Sequence, residues 1–186
     1  MNKACYAIRA VKSLISLKSL ICIYHSYFHS LLQYGILFWG NSPTSGDIFK
    51  IQKRTIRIIT NKGRLESCRD LFRNLKILTL SSQYVLSVRT FLVENRHYFI
   101  PNRDRHNLDL HLPPIYLSVV QRGVLYSGCK IFNNLPLYIK SQVGNSEHFT
   151  NMAKSFLLEQ ATYNLDGYFK LSSQWTDWSS YFCYTF

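Results

Sequence analysis

The sequence predicts a mainly α-helical protein, with an irregular helical bundle followed by a smaller, loop-rich helical part. Two observations predict this fold class. Over most of the 186 residues, apolar side chains recur at the three- and four-residue steps of a helix. Hydrophobic residues also make up 47% of the chain, which is enough to build a core for such helices.

Apolar spacing predicts seven helices. Gly35 follows the second, residues 16–34, as glycine often does at a helix end. Thr79 leads into the fifth, residues 81–96, as a helix-start residue. Residues 115–120 have instead the composition of a short strand. The predicted helices span residues 2–15, 16–34, 48–60, 67–75, 81–96, 124–133 and 149–161.

Composition divides the chain into four parts. Residues 1–97 form a basic helical region, and residues 98–114 lack either hydrophobic period and end in two prolines, which predicts a linker or extended loop. A helical C-terminal extension, 115–170, follows. Residues 171–186 form an aromatic tail without clear periodicity, for which disorder is one interpretation.

Positive charge is concentrated in the N-terminal half. The chain carries 22 Lys and Arg against ten Asp and Glu, a formal charge of +12. Residues 1–90 hold 14 of the basic residues and three of the acidic ones, a net +11. Because a basic surface favours polyanionic partners, we expect any such contact to be made by this half.

The third predicted helix carries a stripe of positive charge. Its cations fall at positions i, i+3, i+4 and i+7, which places them on one face, and two more follow the helix. Such a row suits a phosphate backbone and would give salt-dependent, sequence-independent affinity; a solvated helix face is the alternative. The candidate nucleic-acid-binding residues are Lys50, Lys53, Arg54, Arg57, Lys62 and Arg64.

Aromatic residues between positions 24 and 39 are a second candidate for nucleic-acid contact, since aromatic rings can stack on bases. Their helical spacing favours core packing instead. The residues concerned are Tyr24, Tyr27, Phe28, Tyr34, Phe38 and Trp39.

Residues that could support catalysis or bind a metal are sparse. The acidic residues are dispersed, with no Asp-Asp, Asp-x-Asp or Glu-x-Asp pattern to hold the divalent ions of nucleotidyl transfer. His25 and His29 share a helix face but have no third ligand nearby in the sequence. Five scattered cysteines predict free, mostly buried thiols in a reducing compartment. We therefore expect no catalytic residue, metal or cofactor in this chain.

The apolar segments predict neither export nor a membrane span. Cations are spread through residues 1–18 instead of preceding an apolar block, unlike a signal peptide. Polar and charged residues interrupt the longest apolar stretch, 14–39. We expect an intracellular protein, in the nucleus or cytoplasm, that is not secreted and has no membrane partner.

A Tyr-rich segment ends in a YG-x-x-x-WG block at residues 34–40, and the pattern Phe-x-x-Gln-Lys-x-x-x-Arg follows at 49–57. Together with segments 67–80, 126–140 and 156–169, this ordered set resembles the region after the palm of jockey-like non-LTR (LINE-type) retrotransposon reverse transcriptases. The resemblance covers about residues 3–169.

The resemblance implies a thumb-like bundle and C-terminal extension that hold template and primer. Its partners would be an RNA/DNA duplex or other nucleic acid and the palm domain of a complete reverse transcriptase. The family's catalytic signature, an aromatic residue followed by two aspartates, is absent. The chain thus resembles a fragment of an RNA-directed DNA polymerase that is no enzyme by itself, and the Mg²⁺ of the complete enzyme would bind elsewhere.

An alternative function belongs to a different class. The chain would then be a structural or protein-interaction fragment without independent activity, and the apolar face of residues 20–39 would dock on a missing palm domain. Exposed apolar surface is the feature that favours this alternative.

Overall fold

The computed structural model describes residues 1–101, 108–141 and 146–172. This part of the chain is mainly α-helical, as predicted, and its one piece of β-structure is an isolated bridge between Pro101 and Leu110. The α-helices are α1 (Asn2–Val11), α2 (Leu17–Ile23), α3 (Ser30–Gln33), α4 (Ile36–Trp39), α5 (Ser45–Thr60), α6 (Arg69–Asn74), α7 (Leu80–Glu94), α8 (Ser118–Gln121), α9 (Val124–Asn133), α10 (Leu137–Lys140), α11 (Ser146–Gln160) and α12 (Leu165–Ser172).

The chain divides into two compact units. Unit 1 comprises Met1–Tyr84 and Leu158–Ala161, and unit 2 comprises Val85–Leu157 and Thr162–Phe186. This division falls inside α7, whereas the sequence suggests a boundary at 98–114. The predicted aromatic tail lies outside the described residues from position 173 onward.

The predicted strand at residues 115–120 is wrong, because α8 occupies Ser118–Gln121. A strand needs a neighbour with which to share hydrogen bonds, and none pairs with this segment in the described part of the chain. The Ile115 carbonyl instead accepts a hydrogen bond of 2.7 Å from the side chain of Gln121. The β-branched composition was therefore a poor guide to this segment.

A long helical stretch from α2 to α4 supplies one side of the unit 1 core. Residues Tyr24–His29 between α2 and α3 form a π-helix. Buried side chains recur at intervals of four residues, which in a straight α-helix would drift by about 40° at each step. The wider π-helical turn and the break at Gly35 reduce that drift. The buried set is Leu20, Tyr24, Phe28, Leu32 and Ile36.

The structure gives a different reason for each of the two glycines in the YG-x-x-x-WG block. Gly35 has φ +61°, a left-handed backbone conformation that residues other than glycine rarely adopt. Gly40 lies against the ring of Tyr84, and a Cβ at this position would meet ring atom Cδ2 at 2.3 Å. Between them, the Trp39 indole donates a hydrogen bond of 2.8 Å to the Tyr34 carbonyl. The block is thus a compact turn that lets the following chain pack closely.

Gln52 on α5 is a fully buried polar residue at the centre of unit 1. Its Nε2 donates to the Tyr24 hydroxyl at 3.0 Å and to the Leu78 carbonyl at 2.9 Å. Its Oε1 accepts from the backbone N–H of Leu80 at 2.9 Å. Burial also raises the pKa of Tyr24, so its hydroxyl stays protonated. One side chain therefore joins α5, the π-helix and the start of α7.

Unit 2 has a core of its own around α7, α9 and α11. Within it, Arg89 of α7 is buried, donates a hydrogen bond of 2.6 Å to the Tyr168 hydroxyl, and has its guanidinium 5.4 Å from the centre of that ring. Tyr168 in turn donates to the Ile131 carbonyl at 3.2 Å. The core cluster comprises Leu92, Phe99, Cys129, Phe132, Leu135, Ile139 and Phe149.

Candidate nucleic-acid interface

Helix α5 begins three residues earlier than its predicted start and has two distinct faces. One face is buried through Phe49, Gln52, Thr55, Ile56 and Ile59. Asp47 lies in the first turn, where its negative charge suits the helix dipole. Asn61 ends the helix in the left-handed conformation, with φ 57°. This amphipathic arrangement leaves the predicted cations on the other face.

Unit 1 has a concave cavity with a volume of about 690 Å³, which we name the basic groove. The cations of α5 line one side of this groove. All six predicted site residues contribute to it, so the structure brings them together. Two further cations, Arg9 of α1 and Lys12 directly after it, complete the set, and sequence reasoning did not assign them to the site. The groove is lined by Arg9, Lys12, Lys50, Lys53, Arg54, Arg57, Ile58, Asn61, Lys62 and Arg64.

The four α5 cations differ in how firmly they are held. The Lys50 ammonium pairs with Asp47 at 2.8 Å, but both side chains are about three-quarters exposed. That contact lowers the pKa of Asp47, whose carboxylate accepts the hydrogen bond from Lys50. The Lys53 ammonium lies 4.9 Å from the centre of the Phe49 ring. Arg54 is exposed and takes part in none of the ion pairs found among the described residues.

Arg57 is the most firmly positioned cation of the groove. Its Nε and Nη2 both donate to the backbone carbonyl of Glu66, at 3.1 and 2.7 Å. A guanidinium has five N–H donors, so those that contact neither Glu66 nor the Cys68 thiol remain to donate to another ligand. Because its orientation is already fixed, Arg57 would lose little side-chain entropy on binding an anion.

The loop after α5 is held by a second carboxylate. Glu66 accepts from the Gly63 N–H at 2.8 Å and pairs with the Lys62 ammonium at 3.2 Å. These two contacts, in that order, lower the pKa of the Glu66 carboxyl. Lys62 and Glu66 are both about half exposed, so the pair contributes little stability and can exchange for another anion.

Among the residues that the structure describes, no acidic side chain lines the groove itself. Eight cationic side chains line the groove, and Asp47 and Glu66 each pair with one of its lysines, so positive charge around this concave surface far exceeds negative charge. The arrangement is suited to holding closely spaced negative charges. Among the described residues, no group of three or more His, Cys, Asp or Glu side chains could hold a metal ion.

The other candidate residues lie elsewhere. Tyr24 and Phe28 are buried in the core, while Tyr27, Tyr34 and Phe38 are exposed, and none of the six aromatics lines the groove. His25 and His29 have ring centres 5.3 Å apart, and a His29 ring nitrogen lies 3.3 Å from the Gln83 side-chain oxygen.

The described cysteines are free and mostly buried, as predicted. Cys5, Cys68 and Cys129 are buried free thiols, whereas Cys22 is exposed. Burial raises the pKa of Cys68, although Arg57 and Lys53 oppose the shift.

Comparison of the chain with known protein families, with curated proteins and with solved structures finds no match. None of the described helices is both long enough and apolar enough to cross a membrane.

Proposed function

We propose that this chain binds the phosphate backbone of nucleic acid through the basic groove. The observation that supports the proposal best is the convergence of eight cations, from α1, α5 and the residues that follow each helix, on a surface that no carboxylate of the described residues lines. A phosphate backbone carries closely spaced charges whose condensed counterions are released on binding, which is the main source of affinity for such a surface.

The composition of the groove favours backbone contact over base reading. Within the described part of the chain, no aromatic ring on which a base could stack belongs to its lining. Asn61 is the one amide side chain among these described lining residues, and its oxygen already accepts a hydrogen bond of 2.6 Å from Lys12. Affinity should therefore depend little on sequence.

The resemblance to the region after a reverse transcriptase palm suggests a biological setting for this activity. In that setting the chain is the template- and primer-gripping region that follows the palm of a non-LTR retrotransposon reverse transcriptase, and its ligand is an RNA/DNA duplex. We assign no polymerisation to the chain, since its acidic residues form no carboxylate pattern for nucleotidyl transfer. The divalent metal of such an enzyme would belong to the palm.

Salt dependence tests the proposal. Counterion release predicts that the logarithm of the association constant falls linearly with the logarithm of salt concentration, with a slope of roughly −3 to −5 for three to six phosphates neutralised. Fluorescence anisotropy with two RNA/DNA duplexes of unrelated sequence should give equal slopes and affinities within about threefold, since the bases are not read. Absence of binding in about 50 mM salt, or affinity that salt leaves unchanged, would refute the proposed function.

Docking on a catalytic palm domain is a second candidate function, favoured by a specific observation. Four large apolar side chains between the π-helix and α4 are exposed, namely Tyr27, Leu31, Tyr34 and Phe38. Several such side chains along one helical stretch are more typical of an interaction surface than isolated ones are. The buried residues of the same stretch belong to the core of unit 1 itself.

A further inference from the structure

Helix α1 and the residue that follows it contribute two cations that the charge stripe of α5 does not include. Arg9 lies on α1 and Lys12 caps its C-terminal end, and both line the basic groove. Helices α1 and α5 pack against each other, so the groove has cations on two sides. A single stripe on one helix would contact a phosphate backbone from one side alone.

The position of Lys12 follows from the way α1 packs. Ala4 and Ile8 are fully buried on α1, and Lys12 continues their row at the next four-residue step. Lys12 therefore emerges where the contact between the helices ends. There its ammonium donates a hydrogen bond of 2.6 Å to the side chain of Asn61, the residue that ends α5. This bond, between exposed side chains, links the second side of the groove to the first.

The dimensions of the groove limit what it can hold. Its volume of about 690 Å³ is that of a small-molecule site, roughly 300 to 1,000 Å³, so it accepts a short stretch of one strand and not a whole duplex. From Lys50 to Arg57 the helix rises about 10 Å, at 1.5 Å for each residue. Measured along the axis of a duplex, the phosphates of one strand follow one another at about 3.4 Å, so this length beside a duplex spans about three phosphates.

We infer that the groove holds one sugar-phosphate strand between α1 and α5, with Arg9 and Lys12 contacting the same phosphates as the α5 cations from the opposite side. The inference rests on the proposed function and specifies its ligand. The strand belongs either to single-stranded nucleic acid or to the exposed backbone of a duplex. In both cases the recognised chemistry is a short run of phosphodiesters.

Neutralising the α1 pair tests this inference. The double variant Arg9→Gln, Lys12→Gln should bind nucleic acid at least about tenfold more weakly near 0.1 M salt. The slope of log affinity against log salt concentration should be smaller in magnitude by about two, one for each cation removed. The matched control Lys3→Gln, Lys18→Gln removes the same charge from exposed positions that do not line the groove, and should stay within about twofold of the unsubstituted chain. Equal reductions of affinity in the two double variants would overturn the inference.

Two additions make the result unambiguous. Arg9→Gln alone changes an exposed side chain and should reduce the slope by about one, so the inference can be tested even if removal of the Lys12 bond perturbs folding. The second addition is to measure the affinity for a 12-nucleotide single strand and for a duplex of equal length. The one that binds more tightly shows whether the groove prefers single-stranded nucleic acid or the backbone of a duplex. If the unsubstituted chain binds neither, the proposed function fails; if it binds and the α1 variants match the control, the inference alone fails.

Discussion

Replacing Lys50, Lys53, Arg54 and Arg57 together by glutamine is expected to lower nucleic-acid affinity about a hundredfold or more near 0.1 M salt, because each phosphate that is no longer neutralised reduces the salt slope by close to one unit. The fold should persist, since the buried face of α5 is formed by other residues. Filter binding or anisotropy with an RNA/DNA duplex measures the change in affinity, and circular dichroism checks that the helices remain.

The matched control for this variant removes the same charge elsewhere. Lys3, Lys18, Lys76 and Lys154 are exposed and lie outside the groove, so their joint replacement by glutamine lowers the net charge equally. If only total charge mattered, the two fourfold variants would bind alike, and the groove would have no special role. We expect the affinity of the control to fall by less than about fivefold, because charges beyond a Debye length of about 10 Å are largely screened.

Replacing Gln52 by leucine should destabilise unit 1 by roughly 3 kcal/mol or more. Leucine has neither a donor nor an acceptor in its side chain, so the Leu80 N–H and the Leu78 carbonyl are each left without the bond that Gln52 supplies. Each buried polar group left without a partner costs about 1 to 3 kcal/mol. Urea unfolding followed by circular dichroism measures the change as a lower midpoint with an unchanged slope.

An exposed glutamine provides the control for Gln52. Gln33 is at the end of α3 and is exposed, so Gln33→Leu should change the free energy of unfolding by less than about 0.5 kcal/mol. A Gln52→Leu variant as stable as this control would mean that the three hydrogen bonds of Gln52 do not contribute net stability.

The stripe on α5 could be predicted from sequence because it depends only on helical periodicity. Residues at i, i+3, i+4 and i+7 share a face wherever the helix packs, and the structure does bring Lys50, Lys53, Arg54 and Arg57 to one surface. The helix-start residue Thr79 is a similar local feature, and its hydroxyl accepts from the Ser82 N–H at 3.2 Å.

The second side of the groove could not be predicted in the same way. Arg9 and Lys12 already share a face of the first predicted helix, but which helix that face would meet depends on residues about 40 to 50 positions away in sequence, as the bond from Lys12 to Asn61 illustrates. The role of Gln52 is also non-local, because its partners Tyr24 and Leu78 come from separate segments. In the Phe-x-x-Gln-Lys-x-x-x-Arg pattern, Phe49 and Gln52 are buried in the core, whereas Lys53 and Arg57 line the groove.

The strand expected at 115–120 shows the limit of composition as a guide. β-Branched residues favour a strand only where a second strand can pair with the first. This segment instead forms a short helix, and a side-chain hydrogen bond satisfies the Ile115 carbonyl.

Lysine footprinting tests the central claim most directly. The chain is treated with an acetylating reagent with and without saturating RNA/DNA duplex, and the modification of each lysine is measured by mass spectrometry. We predict that bound nucleic acid protects Lys50, Lys53 and Lys62 of the groove and leaves the exposed Lys3, Lys18 and Lys76 as reactive as before. Protection of the second set with continued modification of the first would show that nucleic acid binds elsewhere, and would contradict the assignment of the groove.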